Sequence, residues 1–144
     1  MSKIQLTSKI VRLMMQEAEM AFPNECCGLL IGQKIHNGDF IASNITPSPN
    51  IAKGNLSNSF ELDPQIRFNV MRKLANGPEK IIGHYHSHPN QSGKPSTRDL
   101  KMAFEPEFIW LIIPVDNGLA QRPQAHIVDQ EKKKFCEIKL NEYN

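Results

Sequence analysis

The 144-residue sequence lacks the features that mark membrane, secreted and nucleic-acid-binding proteins. Its longest apolar run, over residues 108–115, is far shorter than the roughly 18 residues that a membrane helix needs. Arg12, Glu17 and Glu19 interrupt the place where a signal peptide would have its apolar region. Lys and Arg total 17 against 15 Asp and Glu, and the net charge of +2 is too weak a bias to indicate nucleic acid. We therefore expect no nucleic-acid partner and no membrane association.

Cysteine is also scarce, with three in the chain. Cys26 and Cys27 are adjacent and Cys136 is distant, so the spacing fits neither a secreted disulfide framework nor a zinc site built from cysteines. Neighbouring residues of a strand face opposite sides, so we expect one of the adjacent thiols to be buried and the other partly buried, and we assign neither a catalytic role. Reduced thiols are typical of the cytoplasm, which predicts a cytoplasmic protein.

The composition is ordinary for one globular domain. Hydrophobic residues make up 40% of the chain and charged residues 22%, which excludes a wholly disordered protein. A chain of this length buries roughly 68–70% of its unfolded surface, so its core needs no disulfides. We expect a single domain over residues 1–144.

Apolar spacing and capping residues predict three helices. The first is capped by Thr7 or Ser8 and ends at Pro23. Four apolar residues at helical spacing form its inner face: Ile10, Met14, Ala18 and Phe22. The second begins at Asp63 and Pro64 and ends at residues 76–78. Its inner face consists of Ile66, Val70 and Leu74. A third, short helix is predicted over residues 96–104.

Strands are predicted between and after these helices, over residues 26–31, 40–45, 60–62, 80–87, 108–113, 125–128 and 134–140. Asn37 and Gly38 predict a hairpin turn between the first two. Residues 46–59 form a long loop, 88–95 a polar loop and 129–133 a charged turn. Because helices alternate with strands and hairpins occur beside crossover helices, the fold class is α/β, with a central mixed β-sheet flanked by helices.

The chemically informative residues lie within 84–99. His86 and His88 are two apart at the end of a predicted strand, and alternate residues of a strand project to the same face. Two imidazoles so placed can hold one metal ion at about 2.0–2.1 Å, and a catalytic zinc needs a third protein ligand and an open position for water. Asp99 is a candidate third ligand. Ser96, three residues earlier, lies on the same face of the predicted helix.

Other interpretations of these residues stay open. Ser96 and Asp99 have the spacing of a capping box, which is the ordinary way to begin a helix. His84 shares the strand face of His86 and His88, so a site of three histidines is an alternative, although His84 lies deeper in the strand. A single His-x-His pair is also frequent as a purely structural feature.

The complete pattern resembles the signature of the JAMM, or MPN-plus, zinc metallopeptidases of the Mov34/JAB family. That signature is a distant Glu, then His-Ser/Thr-His, seven residues, Ser, two residues and Asp. Its positions in this sequence are Glu25, His86-Ser87-His88, Ser96 and Asp99. Pro89 and the segments 25–32 and 60–64 are similar to the family as well, so the resemblance covers essentially the whole chain. It implies the JAB/MPN fold, which has a cytidine-deaminase-like architecture.

The resemblance implies a zinc metallopeptidase and a role for each motif residue. His86, His88 and Asp99 would bind one zinc ion, with a water as the fourth ligand. Glu25 would deprotonate that water and pass the proton to the leaving group. Ser96 would donate a hydrogen bond to the oxyanion. The residues alone do not distinguish Glu25 from the other acidic residues, and this role comes from the resemblance only.

The short chain with its Glu-Cys-Cys-Gly segment is similar to the compact prokaryotic branch of the family. That branch implies hydrolysis at or near the C-terminal Gly-Gly tail of a small ubiquitin-like, sulfur-carrier protein. Residues 55–62 could offer a backbone edge to such a tail. A homodimer is also compatible with the resemblance.

Two alternatives within the family are an isopeptidase that removes ubiquitin-like modifiers from conjugates, and a non-catalytic MPN scaffold. The presence of all five motif positions argues against the scaffold. A zinc nucleobase deaminase is excluded because the sequence has no Pro-Cys-x-x-Cys element.

Overall fold

The computed structural model describes residues 2–103, 105–129, 131 and 133–144. The helices in this part of the chain are α1 (Ser8–Ala21), α2 (Pro64–Leu74) and α3 (Thr97–Met102). The strands are β1 (Lys3–Thr7), β2 (Cys27–Lys34), β3 (Phe40–Ser48), β4 (Lys80–Pro89), β5 (Ile109–Asp116), β6 (Leu119–Ala120), β7 (Gln124–Asp129) and β8 (Lys134–Tyr143).

The strands form one mixed sheet in the order β4-β2-β3-β1-β8-β7-β5-β6. Three neighbouring pairs are parallel, namely β1 with β3, β1 with β8, and β4 with β5. The β4–β5 pair joins two distant positions of that order, so the sheet closes on itself like a barrel. The α/β class and the mixed sheet with flanking helices are thereby confirmed, and the closure is a feature that the prediction did not contain.

Helix α1 builds the main core. Thr7 accepts a hydrogen bond from the backbone N–H of Ile10 and caps the helix as predicted. Ile10, Met14 and Ala18 are buried against the sheet. Phe22 was predicted on the same face, but it follows the helix as its C-terminal capping residue and is only partly buried. The chain turns away there because Pro23 follows and disfavours helical geometry at the preceding residue.

Helix α2 covers a smaller part of the sheet on the face that also carries the histidines. Asp63 accepts a hydrogen bond from Gln65, and Pro64 occupies the first turn, as predicted. Val70 packs with Leu29 and Ile31 of β2, and Ile66 and Leu74 join this contact. The predicted inner face of the second helix is thus confirmed.

Two strands were missed by the sequence analysis, for related reasons. β1 has five residues and passes directly into α1, so no turn residue separates strand from helix. Its place between β3 and β8, parallel to both, is set by tertiary contacts. β6 has only two residues and pairs with the end of β5.

Several predicted boundaries were wrong because neighbouring strands extend the pairing. β3 continues to Ser48, which pairs with Cys27, so the predicted loop begins later than residue 46. β4 continues to Pro89, since β5 pairs with it that far, and His88 lies in the strand rather than in the following loop. The strand predicted at 60–62 is a single bridge between Asn50 and Leu62.

The end of the predicted third helix, at Phe104, lies outside the described residues, as do Gln130 and Lys132 of the predicted charged turn. Among the residues that are described, no helix has the length and hydropathy needed to cross a bilayer, and α1 spans 14 residues.

A candidate metal centre beside a buried carboxyl group

The three histidines of β4 lie in the middle of the closed sheet. β4 pairs with β2 on one side and β5 on the other, with His86 opposite Cys27 and Ile112. His84, His86 and His88 are all buried on one face. On the other face, Tyr85 lies in the main core and donates a hydrogen bond of 2.7 Å to Glu17 of α1. Both neighbouring strands therefore fix the direction of the imidazoles.

The side chains of His86, His88 and Asp99 converge on one point, and all three are buried. The Nε2 atoms of the two histidines are 3.1 Å apart. Asp99 Oδ2 lies 3.1 Å from Nε2 of His88, and Oδ1 lies 3.4 Å from Nε2 of His86. Ligands about 2.05 Å from a tetrahedral zinc ion are about 3.3 Å from one another. The three side chains, which we call the triad, therefore fit zinc in spacing and in donor type.

Hydrogen bonding fixes the ring of His88 for such a role. Its Nδ1 lies 2.9 Å from the carbonyl oxygen of Ser92. A carbonyl only accepts, so Nδ1 carries a proton and Nε2 is the ring atom left to bind a metal. The hydrogen bonds with Asp99 and Ser92 raise the pKa of His88 although burial opposes them, so a metal ion would displace any proton on Nε2. His86 is fixed by packing instead, since its ring stacks on Phe60 with centroids 4.2 Å apart. Burial lowers the pKa of His86, which keeps its imidazole neutral and able to donate a lone pair.

Asp99 belongs to the triad and to a helix cap at the same time. The backbone N–H of Asp99 donates to Ser96 Oγ at 3.0 Å, and the backbone N–H of Ser96 donates to Asp99 Oδ2 at 2.8 Å. The capping box is therefore present, and it aims the carboxylate at the imidazoles. Burial by itself would raise the pKa of Asp99, but hydrogen bonds with His86 and His88 hold it well below its usual range, so the group is an anion.

His84 does not join the triad. Its ring centroid is 5.4 Å from that of His86 and 4.2 Å from that of Trp110, with the His84 and Trp110 rings nearly perpendicular. Its Nε2 is buried and has no hydrogen-bond partner among the described residues. Burial lowers the pKa of His84 well below its usual value. The arrangement thus favours two histidines and one aspartate over three histidines.

Glu25 lies between α1 and β2 with only 4% of its surface exposed. Its Oε1 atom is buried and has no hydrogen-bond partner among the described residues. Burial raises the pKa of Glu25 to about 8, the negative charge of Asp99 acts in the same direction, and His88 opposes it. A carboxyl group with a pKa near neutrality beside a metal site is suited to proton transfer.

Backbone hydrogen bonds hold Glu25 in place from three directions. Its N–H donates to the carbonyl of Leu56 at 2.8 Å. The next N–H, of Cys26, donates to the hydroxyl of Ser87, which lies between the two triad histidines. The carbonyl of Glu25 accepts a 3.1 Å hydrogen bond from Asn50 Nδ2.

Asn50 was missed by the sequence analysis, although it connects Glu25 to the aromatic side of the site. Its Nδ2 also donates to the carbonyl of Ser59, and its Oδ1 accepts from the N–H groups of Ala52 and Glu61. Ser59 and Glu61 flank Phe60, whose ring stacks on His86. An asparagine in a polar loop carries no sequence signal that would separate it from its neighbours.

His126 was missed as well. It lies on β7, and its Nε2 is 2.8 Å from the carbonyl oxygen of Gly93. This contact ties the loop between β4 and α3 to the sheet, at the segment whose Ser92 carbonyl orients His88. A lone histidine 27 residues after the end of the motif at Asp99 offers no pattern, and the β5–β7 pairing brings it near.

One buried and one partly buried thiol were predicted for Cys26 and Cys27, but both are buried, because the sheet is covered on both faces at this point. Cys26 packs in the main core and Cys27 with Phe60 and Trp110, so the two thiols face opposite sides. Burial raises the pKa of each thiol to about 12, which keeps both protonated and weakly nucleophilic.

Comparison with known proteins shows the family. Residues 7–126 match the family described as prokaryotic homologs of the JAB domain. The chain belongs to this family, and the resemblance inferred from the motif is confirmed.

Individual relatives agree with this assignment. The chain is 29% identical to a desampylase from Haloferax volcanii over 100 residues, and this alignment covers 67% of each of the two proteins. It is 26% identical over 111 residues to a CysO-cysteine peptidase from Mycobacterium tuberculosis, covering 75% of this chain and 70% of the relative. A solution structure of a protein from Desulfitobacterium hafniense superimposes with a TM-score of 0.82 at 26% identity, over 98% of this chain and 93% of the other.

Proposed function

We propose that the protein is a zinc-dependent peptidase, a single domain over residues 1–144, that hydrolyses an amide bond at or near the C-terminal Gly-Gly tail of a ubiquitin-like sulfur-carrier protein. One observation carries the proposal. Two imidazoles and an ionised carboxylate lie 3.1–3.4 Å from one another beside the unpartnered carboxyl group of Glu25. The match to JAB-domain proteins and the similarity to a peptidase support it.

The residues divide the work as follows. His86, His88 and Asp99 hold the zinc ion, which when bound supplies Lewis-acid activation of water and of the substrate carbonyl. Glu25 accepts the proton of the attacking water at its carboxylate and returns it to the departing amine nitrogen. Ser96 donates its hydroxyl hydrogen to the oxygen that becomes negative in the transition state. That hydrogen is available, since Ser96 Oγ acts as an acceptor in the capping box.

Metal analysis and mass spectrometry test the proposal together. Protein purified without chelator is expected to contain about one zinc ion per chain, and His86→Ala and His88→Ala to lose it. His84→Ala is the matched control, because it removes an imidazole from the same strand face but leaves the triad complete. If both triad variants retained zinc, the metal site would have to consist of other residues.

The activity test uses a ubiquitin-like protein with residues added after its Gly-Gly, and the same protein joined to a lysine side chain. Loss of mass from the linear fusion, abolished by chelator, is the expected result. Cleavage of the lysine conjugate alone would favour the isopeptidase alternative. Zinc-loaded protein that cleaves neither substrate would favour the non-catalytic scaffold.

A further inference from the structure

A cavity of about 220 Å³ begins one side chain away from the triad, and the residues that line it include His84 but not His88. The ring of Phe60 stacks on His86 and at the same time lines this cavity. Phe108 and Trp110 contribute two further aromatic walls. Met102 and Ala103, at the end of α3, complete the side nearest the helix that carries Asp99.

The charged residues that line the cavity have opposite signs and lie in contact with each other. Among its residues, Arg67 and Glu105 carry opposite charges and form two contacts, of 2.6 and 2.8 Å. Each is therefore neutralised by the other. Inside, His84 offers an imidazole whose buried Nε2 has no partner among the described residues. A charged side chain entering this space would lose its hydration without finding an opposite charge, which is costly.

The size of the cavity limits what it can hold. A water molecule takes up about 30 Å³ in the liquid, so the cavity has room for several waters or one side chain of moderate size. The aromatic walls favour an apolar occupant, because burial of apolar surface stabilises binding. The size and the lining of the cavity therefore suit one uncharged, apolar side chain.

We propose that this cavity receives the side chain of the residue that follows the scissile bond and is released, and that it selects uncharged apolar residues such as Cys, Val, Leu and Met. The inference rests on the proposed peptidase function. A tail that ends in Gly-Gly has no side chain to fill a cavity beside the triad, so the occupant comes from the leaving side of the bond.

The test uses a ubiquitin-fold protein whose Gly-Gly is extended by one residue, X. We expect kcat/KM to be at least about 10-fold higher for X = Leu or Met than for X = Gly, because a buried methylene or two gives discrimination of that order. Asp and Lys at X are expected to be the poorest substrates.

Narrowing the cavity tests the location. Ala103→Leu is expected to lower kcat/KM for X = Leu about 10-fold while X = Gly changes little. Ala75→Leu is the matched control, because Ala75 caps the end of α2 as Ala103 caps the end of α3, but Ala75 is exposed and does not line this cavity. Equal losses for every X, or cleavage of X = Asp as fast as X = Leu, would overturn the proposal.

A binding measurement separates this inference from the peptidase proposal. Trp110 is the only tryptophan in the chain and lines the cavity, so its fluorescence reports the occupant directly. In zinc-loaded Glu25→Gln, titration with the X = Leu protein is expected to change this emission, and the X = Gly protein to change it little. If the tryptophan emission responds to the X = Leu protein only, but the unmodified protein hydrolyses no substrate, the result would contradict the peptidase proposal and support the cavity assignment. Equal responses to both proteins would overturn the cavity assignment even if hydrolysis is observed.

Discussion

At the scale of single residues, the carboxyl group of Glu25 is one of three groups at the site with a buried polar atom that lacks a hydrogen-bond partner among the described residues, the others being His84 and His86. It is buried, its Oε1 has no partner among the described residues, and yet its backbone is held by Leu56, Asn50 and the segment that carries His86 and His88. Such an arrangement costs stability, because a buried carboxyl without a partner loses hydration. Proteins retain groups of this kind chiefly at functional sites.

Replacing Glu25 by Gln is expected to leave zinc content near one per chain and to abolish turnover of the linear fusion substrate. Gln keeps the size of the side chain but cannot accept the proton from water. Metal analysis and the mass-spectrometric assay measure the two effects on the same sample. A variant with unimpaired turnover would remove Glu25 as the base.

The same variant gives a pH dependence with a definite sign in metal-free protein. The pKa of Glu25 rises from 4.5 to about 8 on folding. The folded state therefore binds the proton more tightly than the unfolded chain, and the contribution of Glu25 to stability is full below pH 4.5 and is lost as the pH rises through 8.

Melting temperatures of chelator-treated protein between pH 4.5 and 9 test this sign. The wild-type value is expected to fall relative to that of Glu25→Gln across this window and then to run parallel to it. The comparison cancels the other titrating groups common to both proteins. Curves that stay parallel from pH 4.5 to 9 would contradict the raised pKa.

Ser96 combines a cap and a candidate oxyanion donor in one hydroxyl. Ser96→Ala is expected to lower kcat on the order of 10²–10³-fold. Loss of the cap costs about 1 kcal/mol, equivalent to a melting temperature lower by about 3–5 °C in a chain of this size. Steady-state kinetics and thermal unfolding measure the two losses separately.

Two further variants separate the roles of Ser96. Ser96→Thr retains both a capping oxygen and a hydroxyl donor, so it should preserve stability and rate. Ser96→Asp retains the capping oxygen but has no hydrogen to donate, so it should recover the melting temperature without recovering kcat. If Ser96→Ala loses only melting temperature, the residue is a cap and nothing more.

At the scale of elements, the loop from residue 49 to residue 62 holds the two sides of the site together. Asn50 uses all four of its side-chain hydrogen bonds, two as donor and two as acceptor, to join Glu25 to the residues that flank Phe60. The loop thus positions the candidate base on one side and the ring stacked on His86 on the other. Asn50 contacts no triad atom, so it is a positioning residue.

Asn50→Asp is expected to lower kcat by roughly 10–100-fold, the order of loss that follows a misplacement of about 1 Å. The aspartate keeps both acceptor contacts but replaces the NH2 group, which supplies both N–H donors, with one oxygen that repels the carbonyls of Glu25 and Ser59. Zinc content should be unchanged, because the triad is untouched.

Asn58→Asp is the control for Asn50→Asp, since it places the same new charge at an exposed position of the same loop. It is expected to behave as wild type in both kcat and zinc content. Equal kcat in the two variants, or loss of zinc from Asn50→Asp, would show that Asn50 does not act through Glu25.

At the scale of the whole molecule, closure of the sheet decides where the site forms. The parallel pairing of β4 with β5 places His84 and His86 against Trp110. The antiparallel pairing of β5 with β7 brings His126 into contact with the loop that follows β4. The candidate site therefore draws on α1, β2, β4, α3, β5 and β7. No single supersecondary unit contains it.

Most of the correct predictions came from patterns within single helices or strands. Helix caps at Thr7 and Asp63 and the inner face of the second helix followed from spacing alone, because these features depend on residues three or four apart. The motif from His86 to Asp99 was equally visible, since a strand end and the following helix bring its members together. Glu25, 61 residues before His86, was found only through resemblance to a family.

The sequence by itself predicted the α/β class, a candidate donor set of two imidazoles and a carboxylate, and the resemblance to the family. The tertiary structure decided the remaining features: closure of the sheet, the strand β1, the four hydrogen bonds of the Asn50 side chain, the hydrogen bond between His126 and Gly93, and the cavity at His84. The physical reason is distance along the chain. Periodicity and capping report which residues are neighbours on one element, whereas pairing between β4 and β5, or a hydrogen bond from residue 50 to residue 25, depends on how every element packs at once.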